Sequence, residues 1–237
     1  MDIFKIFTSL YEVIIEFAAS LVLIPKTLAK VIISPRWTLR YIDSEIARDS
    51  RINFNGYSHP VLFWLVVGVL PYYFLLQFLI LQLGNNKVIA VYDSIGVELK
   101  ITAFIIFFIS LPVSCALVIQ LLKHRNFEKT IFRRLLFIQC YITAPLQLFY
   151  LPAFFLDEVS ETWSGVFAIV SLAVVVWFAV SEVILTKIEI GLGWFKAVGT
   201  LILFYCSYFI FVAITLLLFF LFNMGTFKKL FDAWIDG

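Results

Sequence analysis

The chain has 237 residues, of which 62% are apolar and only 14% charged, with a mean hydropathy of +1.01. A soluble domain covers itself with about 25% charged residues, so an ordinary water-soluble fold is excluded, as are disordered, collagen-like and disulfide-scaffold chains; the bilayer is the solvent. A net charge of +2 carries no nucleic-acid signature, and no nucleic-acid partner is expected.

Residues 3–24 are apolar but interrupted by Lys5, Glu12 and Glu16. At 100° per residue these three fall with Thr8, Ser9 and Ser20 inside an arc of about 120°. That is the pattern of an amphipathic helix lying in the interface, ended by Pro25. A sixth span and a cleaved signal peptide are the alternatives; charges inside the would-be apolar core argue against the latter. A second amphipathic helix is expected from Ser34-Pro35, with Ser34 as cap and Pro35 in the first helical position. Its apolar face holds Leu39, Ile42 and Ile46, while Arg36, Arg40 and Arg48 point away. Lys26, Lys30, Arg36 and Arg40 form a basic set that can meet anionic head groups or a cytoplasmic partner. They can equally be the solvated face of a helix packed on the bundle. NFNGYSH (53–59) reads as a hinge, so residues 1–56 form a cytoplasmic, interfacial lead.

Five runs then reach the length of about 20 mostly apolar residues that a spanning helix needs: 60–83, 99–122, 134–156, 162–186 and 197–222. None alternates with period two, which excludes a barrel. The expected fold is all-α: a polytopic, five-helix transmembrane bundle over 57–223, followed by a short amphipathic tail at 224–237. Short connections make consecutive helices neighbours. With the N-terminus inside, the inner segments hold 14 Lys and Arg and the outer ones 4. By the positive-inside rule this is a multi-pass protein with its N-terminus cytoplasmic and its C-terminus outside.

Prolines lie within three of the spans: Pro71, Pro112, and Pro145 with Pro152. Each removes a backbone hydrogen bond and can kink its helix. In the third span Gln139, Thr143, Gln147 and Tyr150 recur at helical spacing on one face. Gln77, Ser110, Ser114, Ser164 and Ser171 on other spans could meet them. Amides are costly in hydrocarbon, so this face must turn to protein, as interhelical glue, or to water, as a polar path. Glu182 is the acid deepest in an apolar run. Near Lys187, it can snorkel or pair, or serve as a coupling-proton site. Cys115, Cys140 and Cys206 sit in apolar runs without metal-ligand spacing and read as buried free thiols. Nucleophile, P-loop and metalloprotease motifs are absent, and His59 and His124 fall at water-facing span ends. No catalytic residue, metal or cofactor is expected.

The segments SPRWTLRYI (34–42), YSHPVLFWL (57–65) and CYITAPLQLFYLP (140–152) give the chain a layout that resembles the Yip-domain family of Ypt/Rab-interacting membrane proteins and its bacterial relatives, over roughly residues 30–222. The resemblance implies a five-helix bundle with a cytoplasmic N-terminus and an adaptor or transport-associated role. The long acidic N-terminal region of eukaryotic trafficking members is not found here, which points to the bacterial type and to the inner membrane. The expected function is a non-catalytic scaffold or adaptor subunit of a membrane complex. A homo-oligomeric pore, permease or stress or defence effector, and a lipid-handling protein, are the alternatives. Expected partners are the bilayer, other membrane or cytoplasmic proteins, and a second copy of the chain.

Overall fold

A computed structural model describes residues 18–19, 21–47, 54, 56–74, 97–123, 126–157 and 164–222. All regular structure among them is helical: α1 (21–33), α2 (Arg36–Ile46), α3 (Pro60–Phe74), α4 (Val97–Lys123), α5 (Lys129–Asp157), α6 (Ser164–Ile190) and α7 (Trp194–Phe222). Among the described residues three helices are long and apolar enough to cross a membrane, over Ile106–Lys123, Ala168–Ile190 and Trp194–Ile214. The protein is therefore membrane-embedded and α-helical. The other two expected spans correspond to α3, which is described as far as Phe74, and α5, a 29-residue helix that opens with Lys129, Arg133 and Arg134. Most of the 3–24 arc, Arg48, Gln77, the side chains of Tyr150 and Ser164, and the 224–237 tail lie outside the described residues.

The lead differs from expectation at two points. Helix α1 does not end at Pro25 but continues to residue 33. Its packing explains this: Thr27 and Val31 are fully buried, and Ile24 and Leu28 lie against the core, so tertiary contact outweighs the one donor that Pro25 lacks. The helix stops instead just before Pro35, where the ring disfavours helical geometry in the preceding residue. Ser34 does not cap α2 with its hydroxyl. Its carbonyl accepts from Trp37 N at 2.9 Å, and Thr38 Oγ1 donates to Pro35 O at 2.6 Å. On α2, Leu39 and Ile42 are buried against α5 and α6, Ile46 is exposed at the edge, and Arg36 and Arg40 face outward.

Helix α5 is the hub, packing against α2, α3, α4 and α6, while α7 packs on α4 and α6. Tyr141, Ile138, Ile142 and Leu135 of α5 meet Phe63, Ile119, Phe178 and Leu185 in one core. The prolines sit inside continuous helices. In α3 a π-helical turn over Trp64–Val69, with Leu70 N donating five residues back to Leu65 O, immediately precedes Pro71. Such turns absorb a mismatch in the helical ladder. Gly68 within that turn lets α3 approach α5 closely: a Cβ there would lie 2.5 Å from Gln147 Oε1 and 3.4 Å from Ala144 Cα. Small residues at such crossings are how membrane helices come together. Cys115 and Cys140 are free and buried; Cys206 is also free but exposed. The expectation of a buried Cys206 fails because α7 turns that side of its apolar surface outward, and apolarity alone does not choose the face in a membrane.

Candidate functional site

Polar groups gather at two levels, the lead-helix end of the bundle and its interior. At the lead-helix end, Phe54 and residues 56–59 are tied into a latch. Phe54 adopts φ 71°, a left-handed conformation that costs a non-glycine residue about 1–2 kcal/mol. The cost is offset where its N–H donates to Glu45 Oε2 at 2.7 Å, and where its ring sits against Tyr41, His59 and Phe137. Ser58 N donates to Thr27 Oγ1 at 3.0 Å, and Tyr141 Oη donates to Ser58 O. Lys26 Nζ donates to Gly56 O at 3.0 Å and lies 4.4 Å from the Tyr57 ring centroid. Lys26 is thus engaged by the latch, whereas Lys30 is solvent-exposed on the same helix. Burial holds the His59 imidazole below its ordinary range, because the charged form loses hydration among aromatic rings.

Beside the latch is an ion cluster that draws four helices together. Arg134 of α5 donates to both carboxylate oxygens of Asp43 on α2, and reaches Glu189 of α6 at 2.9 and 2.7 Å; Lys123 at the end of α4 adds a contact to Glu189 at 3.0 Å. The sequence shows these cations only as counts on one side of the membrane. Acids on the same side of the membrane as these cations, Asp43 in the lead and Glu189 at the end of its span, are the available signal for the cluster.

In the interior, the α5 stripe makes three different contacts. Gln139 Nε2 donates to Glu182 Oε2 at 3.2 Å, both residues being fully buried. Thr143 Oγ1 turns back to Gln139 O at 2.8 Å. Gln147 Nε2 donates to Phe108 O at 2.9 Å. That last bond has a local cause: in α4 the donor for Phe108 O would be the N–H of residue 112, and residue 112 is proline. Glu182 neither snorkels nor pairs with Lys187, whose Nζ lies 3.9 Å from the Trp194 ring centroid; the carboxyl points into the bundle because Gln139 supplies a donor there. Ser110 bonds to Ile106 O on its own helix rather than to the stripe. Ser171 is half-buried and Ser114 fully buried. Pro112 and Pro145 are buried beside these residues, and Pro152 follows in α5. The Trp177 indole N–H of α6 donates to Ile32 O at 3.0 Å, filling one of the carbonyls that the end of α1 leaves open.

A cavity of about 260 Å³ opens between α4, α5, α6 and α7, bordered by Phe107, Phe108, Leu111, Gln147, Tyr205 and Tyr208 among others. Its wall is mainly aromatic and aliphatic, suited to an apolar chain rather than to a hydrated ion. Among the described residues no three His, Cys, Asp or Glu side chains group as metal ligands. No family model, curated protein or solved structure matches the chain, so the likeness to the Yip-domain family rests on the quoted segments alone.

Proposed function

We propose that the chain is a five-span bundle, N-terminus cytoplasmic and C-terminus outside, that acts as a non-catalytic scaffold or adaptor subunit of a membrane complex, in the manner of a bacterial inner-membrane relative of the Yip-domain proteins. The observation that carries this reading is the use made of the α5 stripe. Gln139, Thr143 and Gln147 each have a protein partner, on α6, on α5 itself and on α4 respectively. Gln139 and Gln147 thereby join α5 to its neighbours, each interhelical bond contributing about 0.6–2 kcal/mol, while Thr143 is satisfied within α5. A path for solute would need them turned to water. The lead supports the same reading. With Leu39 and Ile42 buried and Asp43 tied to Arg134, α2 carries exposed Arg36 and Arg40 on a fixed mount, a basic surface for a cytoplasmic partner or anionic head groups.

The test is purification of the tagged chain from native membranes in mild detergent. Companion subunits should come with it in fixed ratio and be lost on reversing Arg36 and Arg40 to Glu, but be kept in Gln147→Leu. Solute flux through liposomes holding this chain alone, abolished by Gln147→Leu, would promote the pore. Cysteines introduced at positions 126, 159 and 191 should label from inside, outside and inside in turn; labelling of 159 from the cytoplasm would overturn the orientation.

A further inference from the structure

The stripe accounts for Gln139 as a joint between helices but leaves Glu182 half explained. Its carboxyl is fully buried in an apolar helix and receives one hydrogen bond, from Gln139 Nε2. An ionised carboxylate in such surroundings requires a cation or several donors. Of the described cations toward that end of the bundle, Lys123 and Arg134 are engaged with Glu189 and Lys187 lies over Trp194, while Lys129, Arg133 and Lys196, like Lys30, Arg36 and Arg40 of the lead, are solvent-exposed. The other neighbouring elements bring no charge to it. Helix α4 contributes Ser114 and, within electrostatic reach, the Cys115 thiol. Helix α5 contributes Gln139 and, next to it, the Cys140 thiol. Helix α7 buries Ala197, Thr200 and Phe204, and on α2 Asp43 is held by Arg134 while Glu45 receives the Phe54 N–H. On α6 itself Ser181 Oγ is used by Trp177 O.

Two buried acceptors are left without a donor on this pair, Glu182 Oε1 and Gln139 Oε1. A carboxyl and an amide can pair face to face through two hydrogen bonds, amide N–H to carboxyl oxygen and carboxyl O–H to amide oxygen. The first is in place at 3.2 Å. The second needs a hydrogen on Glu182 Oε1, and one proton there satisfies both orphaned oxygens at once. We propose that Glu182 and Gln139 form a proton-binding site inside the bundle, with Glu182 holding the proton at neutral pH and exchanging it with the lead-helix end. On loading, an O–H bond forms at Glu182 Oε1, one bond of a solvent hydronium breaks and water leaves; release is the reverse, with no change of oxidation state. Thr186 marks the route. It lies one turn closer to that end on the same face of α6, is fully buried, and its Oγ1 has no partner. A hydroxyl can accept a hydrogen bond on one side while donating on the other, and Glu189, three residues further on, belongs to the half-open ion cluster. The proposal stands apart from the scaffold reading, since neither requires the other.

Infrared spectroscopy of the full-length protein in detergent, with isotope-labelled glutamate, tests it. A protonated-carboxyl C=O band carrying the label should be present at neutral pH, vanish on raising the pH, and be absent from Glu182→Gln, in which an amide replaces the acid at nearly the same shape. Gln139→Leu should shift that band upward in frequency, as expected for a carboxyl O–H without its amide acceptor. Thr186→Val should keep the band but slow its hydrogen–deuterium exchange by tenfold or more. Should Glu182→Gln not fold, the labelled band in the wild type and its slowed exchange in Thr186→Val still decide the matter. Absence of a protonated glutamate band at neutral pH would overturn the proposal. So would its loss on adding sodium at constant pH, which would assign the site to a metal cation.

Discussion

The lead-helix end of the bundle and the outward face of α7 are built on opposite principles. At the lead-helix end, α1, α2 and the latch of Phe54 and residues 56–59 are held by ion pairs, backbone-directed side chains and an aromatic cluster around Tyr41, Tyr57 and Tyr141. Along α7, only 17% of the spanning window is buried, against 50% in α4, and Phe195, Ile202 and Phe209 point outward. In water such a surface would be driven inward. In lipid the tails are as apolar as the side chains, so burial confers little and association depends on shape and specific polar bonds. Position is therefore set by polar contacts at one end, and apolar surface is free to remain outside along α7.

Arg134 is where that contrast can be broken most severely. Arg134→Leu strips Glu189, whose side chain is 5% exposed, of its main partner, and should cost about 3 kcal/mol, in line with the breaking of buried pairs. Asp43, with a side chain 51% exposed, should tolerate Asp43→Ala within about 1 kcal/mol. Thermal unfolding in detergent measures both, and equal effects would mean that this end is not held by its buried charges. Gln147→Leu should cost about 1 kcal/mol, with the fold and oligomeric state retained. In a Pro112→Ala background the cost should shrink, because an alanine N–H can return to Phe108 O; an unchanged cost would detach Gln147 from the proline.

A smaller effect is expected on acidification. The folded-state pKa of His59 is lowered by burial, so as pH falls below about 6.5 the unfolded chain takes up a proton before the folded one does. Stability should then decline until the lower folded-state value is passed, and His59→Leu should flatten that decline in unfolding temperatures measured at successive pH values. Smallest of all, Ile202→Ala and Phe209→Ala should change stability by no more than about 0.5 kcal/mol. A loss of core size at Phe209 would mean that another chain packs there.

Much of the architecture can be read in one dimension, and the reasons differ by feature. Spanning length and apolarity are local properties, so α4, α6 and α7 can be located from composition alone. The stripe on α5 is equally local, because helical spacing puts Gln139, Thr143 and Gln147 on one face. The bonds they make are not local. Pro112 announces in the sequence that Phe108 O loses its helical donor, yet nothing in the sequence says that Gln147 replaces it. Pro25 misleads for the same reason: the broken hydrogen bond is visible locally, whereas the packing of Thr27 and Val31 that outweighs it is not.

By itself, then, the sequence determined that this chain is helical and lives in a membrane, because hydrophobic length and the absence of two-residue alternation act segment by segment. Only the tertiary structure decided that Arg134 joins Asp43 and Glu189, that Lys26 closes on the latch, that Cys206 faces outward and that Glu182 turns inward to Gln139. Each of these depends on which helix comes to lie opposite. In a bilayer that choice is made by a few directional bonds and close approaches between residues far apart in the chain, not by the hydrophobicity that all the spans share.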